Sequence, residues 1–174
     1  MKQLTSLWDL KSTRGVADVR VSARVVPLND AAPESPRPLA DNPDRVAQFM
    51  RDWIEAEGIG YDRETWFVLL LTTRRHVLAV HRGGDGTVDT LLVSPAAVFR
   101  PAIACNAAAI VMVHTHPSGD PSPSEGDIRV TRELIRAGQL LKIELLDHVI
   151  VANPNIPLGL ARGYSSLREL GYWY

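Results

Sequence analysis

The chain has 174 residues, 45% hydrophobic and 22% charged, with a formal net charge of −1. Those proportions describe an ordinary globular domain with enough chain for one real core. They exclude a broadly basic protein, so overall charge gives no support to non-specific nucleic-acid binding. The single cysteine, Cys105, leaves no partner for an intrachain disulfide and fits a reducing compartment.

The opening "MKQLTSLWDLKSTRGV" lacks the continuous apolar core of a signal peptide. The most apolar runs, "WFVLLL" and "AAAIVMV", fall far short of the roughly 20 residues that span a bilayer. The expectation is a cytoplasmic protein.

Within residues 1–30, "VRVSARVVPL" reads as a short strand, and residues 31–40, "AAPESPRPLA", carry three prolines and read as a linker. This places an N-terminal arm at residues 1–42 and a folded domain at 43–174. A helix begins in "DNPDRVAQFMRDWIEAEG", with Asn42 as N-cap and Pro43 at the first helical position. Val46, Phe49, Met50 and Trp53 recur at helical spacing, and Gly58 and Gly60 end the run. "ETWFVLLLT" is a buried strand, "HVLAVHR" a second, "GGDG" a turn and "TVDTLLV" a third. Ser94 and Pro95 open a helix through "SPAAVFRPAIACNA", which Pro101 should kink or shorten. "AAIVMVHTH" is a strand. "SPSEGDIRVTRELIRAGQLL" is an amphipathic helix with Ile128, Leu134, Ile135 and Leu140 or Leu141 facing inward. "IELLDHVIVA" is another strand, "PLGLAR" a candidate last one and "SSLRELG" a closing helical turn. After the first helix, the order βββαβαβ points to an α/β fold: a single layered domain on a mixed sheet with flanking helices.

The chemistry concentrates in "HTHPSGDPSPSEGD", residues 114–127. On a strand, residues i and i+2 share a face, so His114 and His116 can present both imidazoles to one cation while Thr115 points away. Pro117 ends the strand. Asp127, in the first turn of the following helix, can point back at the histidines. Two neutral nitrogens and one anionic oxygen suit a zinc ion with a fourth position left open. An H-x-H also arises by chance, and Asp127 has a local explanation as the partner of Ser124 in a capping box. Ser122 with Glu125 offers a second box, with Pro123 at the first helical position; this reading is preferred because it frees Ser124 and Asp127 for the site. Ser124, about one helical turn before Asp127, can bring its hydroxyl beside a metal. Glu64, at the start of the "WFVLLL" strand, is the best candidate for a carboxylate base, although a solvated strand-end charge explains it as well.

The spacing His-Thr-His, seven residues, Ser, two residues, Asp resembles the JAMM metalloprotease motif, with His114, Thr115, His116, Ser124 and Asp127 at its specified positions. "HPSGDPSPS", "ETWFVLLL", "SPAAVFRPAIACNAAAIVMVHTHPSGD", "LLDHVIVA" and "SLRELG" narrow this to the bacterial RadC-like JAB-domain branch, across about residues 43–174. The resemblance implies a JAB/MPN (cytidine-deaminase-like) fold and Zn2+ held by His114, His116 and Asp127. It also implies that Ser124 steadies the tetrahedral intermediate and that Glu64 acts on the reacting water. The implied activity is that of a zinc-dependent metallopeptidase or isopeptidase. Its partner would be a protein or peptide, with a ubiquitin-like conjugate as one substrate class. "Asp147-His148" matches a further family element and is read as support behind a ligand or in the core. The alternative carried by the resemblance is a DNA-repair-associated or nucleic-acid-associated accessory protein. Residues 1–42 show no helix-hairpin-helix pattern to favour it. Thr115, between the histidines, stands where RadC-like chains often have Asn.

Overall fold

Two strands, β2 (Thr65–Leu71) and β4 (Ala109–His116), are buried along their whole length. Strands buried on both faces belong at the centre of a covered sheet. In the computed structural model, which describes residues 37–85, 93–156 and 162–174 and the backbone of 24–25, they take that place. The six-stranded sheet also contains β1 (Arg24–Val25), β3 (Val77–Asp85), β5 (Glu144–Ala152) and β6 (Tyr164–Ser166), in the order β1-β3-β2-β4-β5-β6. Neighbours are antiparallel except β4 and β5, which run parallel. A parallel pair needs a crossover, and the helix α3 (Glu125–Leu141) supplies it.

Helix α1 (Pro43–Ala56) covers one face, packing Val46, Ala47, Met50 and Ile54 against Phe67, Leu69, Val111, Val113 and Val149. The other face carries α2 (Pro95–Ala104) and α3, whose Val98, Phe99 and Leu134 pack on Val68, Leu70, Ile110 and Met112. The layered α/β architecture on a mixed sheet is therefore as the sequence pattern indicates. The α1 start also agrees: Asn42 accepts the Arg45 amide at 2.9 Å and Pro43 opens the helix. So does the break after it, where Gly58 takes a φ of +65°.

Five local expectations differ. The glycines of "GGDG" do not all turn: β3 runs on through Gly83 and Gly84 to Asp85. Gly83 is needed there because a Cβ would lie 2.0–2.2 Å from the Trp66 indole. The end of the proline-rich stretch is pinned rather than loose, since Ala40 donates to the Arg75 carbonyl and Leu39 bridges His76. Helix α3 starts at Glu125 with Ser124 as its N-cap, so the capping box is Ser124 with Asp127, not Ser122 with Glu125. Leu140 and Leu141 face out, 85% and 44% exposed, because α3 packs through Ile128, Thr131, Leu134 and Gly138 and the chain turns away at Lys142. Ser165 and Ser166 belong to β6, and the closing turn begins at Leu167, with the Leu170 amide donating to the Ser166 carbonyl. Pro101 sits inside α2, which ends at Ala104, so the proline shortens the helix without preventing it. The expected strand "TVDTLLV" up to Leu92, most of "PLGLAR" and nearly all of residues 1–36 lie outside the described residues.

Candidate metal centre

The pleat of β4 turns His114 and His116 toward α3, as residues two apart on a strand must. Thr115 points to the other face, where its Oγ1 accepts the Thr65 amide at 3.0 Å. Helix α3 begins beside the strand end and brings Asp127 to the same spot. His114 Nε2 lies 2.9 Å from His116 Nε2 and 3.1 Å from Asp127 Oδ1. His116 Nε2 is 3.8 Å from Asp127 Oδ2. One donor atom from each of the three residues falls within 4.8 Å of the others. All three are buried: His114 is 2%, His116 9% and Asp127 1% exposed. His116 is thus the member nearest to solvent.

The hydrogen bonds around the rings decide which nitrogens carry protons. His116 Nδ1 lies 2.7 Å from the Asp120 carbonyl. A carbonyl can only accept, so Nδ1 is protonated and Nε2 keeps its lone pair. The loop that delivers this carbonyl turns at Gly119, whose φ is +80° and where a Cβ would strike the Ile156 carbonyl at 2.7 Å. His114 Nδ1 contacts His148 Nε2 at 2.8 Å, and His148 Nδ1 contacts Thr131 Oγ1 at 2.6 Å.

Asp127 is held from below. Its Oδ2 accepts both the amide and the hydroxyl of Ser124, each at 2.7 Å, while Ser124 Oγ accepts the Asp127 amide at 3.2 Å. Its Oδ1 is buried and has no hydrogen-bond partner. A buried carboxylate oxygen without a donor is costly. Here it lies 3.1 Å from His114 Nε2 and beside His116 Nε2, an arrangement that a divalent cation would complete. Two neutral nitrogens and one carboxylate oxygen fit zinc by donor type.

Glu64 stands just before β2. Trp66 pairs with His114 in the antiparallel β2–β4 ladder, and continuing that register sets Glu64 opposite His116. It is half-buried, and its charge reaches His116. Burial and then the His114 ring push His116 below the ordinary imidazole range, against the Asp120 carbonyl, Asp127 and Glu64. Complete burial pushes His148 well below that range. For Asp127, burial acts upward, but His114 and the two Ser124 donors outweigh it and hold the carboxyl well below the usual range. The His114 share of that effect requires a proton on Nε2, the nitrogen a metal would need. Proton and cation therefore compete for one place.

Three of the expected residues come together here: His114, His116 and Asp127 converge. Ser124 touches Asp127, and the charge of Glu64 reaches His116. Asp147 and His148, adjacent in sequence, point to opposite faces of β5. Asp147 accepts from the His148 amide and the Ser166 hydroxyl, at 2.7 and 2.6 Å, and never meets the imidazole. Thr131 escaped the sequence reading. Its signal was a polar residue on the inward stripe of α3, one turn after Asp127.

The family profile of the RadC-like JAB domain matches residues 40–172. The chain belongs to the RadC-like JAB domain family. Its relatives include a UPF0758 protein of Desulfitobacterium hafniense, 39% identical over 135 residues, which are 78% of this chain and 54% of the relative. A UPF0758 protein of Desulforudis audaxviator is 34% identical over 150 residues, 83% of this chain and 64% of the relative. A UPF0758 protein of Rubrobacter xylanophilus is 34% identical over 171 residues, 95% of this chain and 70% of the relative. This RadC-like JAB domain thus spans about half the length of the Desulfitobacterium relative. Among the described residues, no helix is long and apolar enough to cross a membrane.

Proposed function

We propose that this RadC-like JAB domain is a zinc-dependent peptidase or isopeptidase, acting in the cytoplasm on a protein or peptide. A ubiquitin-like conjugate is one substrate class within that reading. The observation that carries the reading is the convergence of His114 Nε2, His116 Nε2 and the unpartnered Asp127 Oδ1, with the charge of a second carboxylate, Glu64, reaching His116. His114, His116 and Asp127 would hold the zinc, which would supply Lewis acidity and make a water acidic enough to lose its proton at neutral pH.

The protein groups do the rest. Glu64 takes the proton of the attacking water and returns it to the leaving amine. It approaches from the side of His116, the most accessible ligand, so the substrate enters there. Ser124 donates to the developing oxyanion by swinging its hydroxyl off Asp127 Oδ2, which retains the Ser124 amide at 2.7 Å. An extended substrate tail can pair with an exposed strand edge.

The test begins with metal content by plasma mass spectrometry. About one zinc per chain, lost in Asp127→Ala, is the expected result. Glu64→Gln should keep the zinc and lower hydrolysis of an isopeptide-linked ubiquitin-like conjugate by roughly 10²–10⁴-fold. A chain that takes up no transition metal after zinc is added back overturns the metal reading. Undiminished turnover in Glu64→Gln removes Glu64 from the mechanism.

A further inference from the structure

We infer that Thr131 and His148 are positioning residues of the metal centre: with the main-chain carbonyl of Asp127 they form a one-way hydrogen-bond relay that fixes the His114 tautomer and leaves its Nε2 lone pair for the metal. The inference rests on the metal-binding part of the proposed function and not on its peptidase part.

The direction of the relay follows from its end. Thr131 Oγ1 lies 2.6 Å from the Asp127 carbonyl oxygen. Only the hydroxyl can supply a proton to that contact, because a carbonyl has none. A threonine bonded to the carbonyl four residues back is common in helices and says little alone. The informative contact is the second one on the same oxygen. His148 Nδ1 sits 2.6 Å from Thr131 Oγ1. With its proton already given to Asp127, the hydroxyl can only accept, so His148 Nδ1 is the donor. A neutral His148 then has a lone pair on Nε2, 2.8 Å from His114 Nδ1. His114 Nδ1 must donate into it, and its Nε2 is left bare toward His116 and Asp127. Were His148 a cation, both of its nitrogens would donate. His114 would then be protonated on Nε2, which would close the site.

The relay has two consequences for the centre. It joins ligands from β4 and α3 through β5, so each ring is located by a partner on another element. It also ends in a neutral carbonyl, whereas a carboxylate behind the histidine would add negative charge. Asp127 stays the one anionic member of the ligand set, and a bound divalent cation keeps a net positive charge there. His148 occurs within "LLDHVIVA" and Thr131 within the α3 stripe, and both are buried.

The experiment pairs Thr131→Val, which keeps the shape and removes the hydroxyl, with Thr131→Ser, which restores it, and adds His148→Phe. Zinc affinity is read by competition with a chromophoric chelator, and the thermal midpoint of the metal-free protein is the structural control. Thr131→Val and His148→Phe should weaken zinc binding by roughly 10–100-fold, and Thr131→Ser should bind as wild type does. Nitrogen-15 spectra of the metal-free wild-type protein should show His114 and His148 as Nδ1–H tautomers. Wild-type zinc affinity in Thr131→Val, or a His148 protonated on Nε2 alone, overturns the relay. If the wild-type chain takes no zinc, the proposed function falls. The ring-nitrogen spectrum still decides the relay in that case.

Discussion

Replacing Asp127 by asparagine should make the metal-free protein more stable while abolishing metal binding. The side chain keeps its shape. One amide oxygen can still accept the Ser124 amide and hydroxyl in place of Oδ2. The amide nitrogen then takes the place of Oδ1, 3.1 Å from His114 Nε2, and donates to its lone pair. An orphaned buried acceptor, 1% exposed as a residue, becomes a satisfied donor. Leaving such a group unmade costs about 1–3 kcal/mol. In a chain of this size each kcal/mol moves the thermal midpoint by about 2–4 °C. Asp127→Asn should therefore melt several degrees above wild type in chelator-treated buffer. The order reverses with zinc present, because only wild type gains from binding. Calorimetry with and without metal reads both effects. A lower midpoint for metal-free Asp127→Asn, or a zinc-induced rise in that variant, would refute the reasoning.

Other outcomes follow from the same geometry. Burial depresses His81, His116 and His148, so between their folded values and about pH 6.5 the unfolded chain binds more protons. Stability present above that pH is then lost on acidification, and the metal-free midpoint should fall between pH 7 and pH 5.5; a flat profile would show that these rings are not buried neutral. Ser124→Ala removes an N-cap and a donor to Asp127, so it should cost about 1 kcal/mol in thermal denaturation and weaken zinc binding in the same preparation. Gly83→Ala sets a Cβ 2.0–2.2 Å from the Trp66 indole, the residue paired with His114. Its overpacking should cost about 1–3 kcal/mol and shift tryptophan fluorescence, and an unchanged spectrum with an unchanged midpoint would contradict the placement of β3.

Much of the site was legible because its parts follow local rules. Strand parity puts His114 and His116 on one face, and a helix start after a short loop places Asp127 beside them. The central strands were legible from their long apolar runs, residues 66–71 and 109–113. What was not legible depends on distant contacts. "GGDG" looks like a turn, and nothing nearby in the sequence says that Gly83 must pass over Trp66. The α3 stripe continues to Leu140 by period alone, but the packing stops at Gly138, where a Cβ would meet the Ile143 carbonyl at 2.6 Å. The choice between two overlapping capping boxes turned on where Asp127 had to point. The role of His148 depended on Thr131, on another element and seventeen residues away.

The carboxylate of Asp127 begins a helix as well as facing the histidines, and this explains its length. Position three of a capping box ordinarily favours glutamate or glutamine, whose longer reach suits the bond back to the N-cap amide. Helix chemistry alone would accept glutamate at 127. Here one oxygen must reach Ser124 while the other stays level with two imidazoles and the carbonyl holds Thr131. One extra methylene would satisfy the helix and push the second oxygen past the rings. The shorter acid is thus the mark of a position where ligand geometry, and not helix propensity, chose the residue. An Asp127→Glu chain should be a well-folded protein with a displaced ligand.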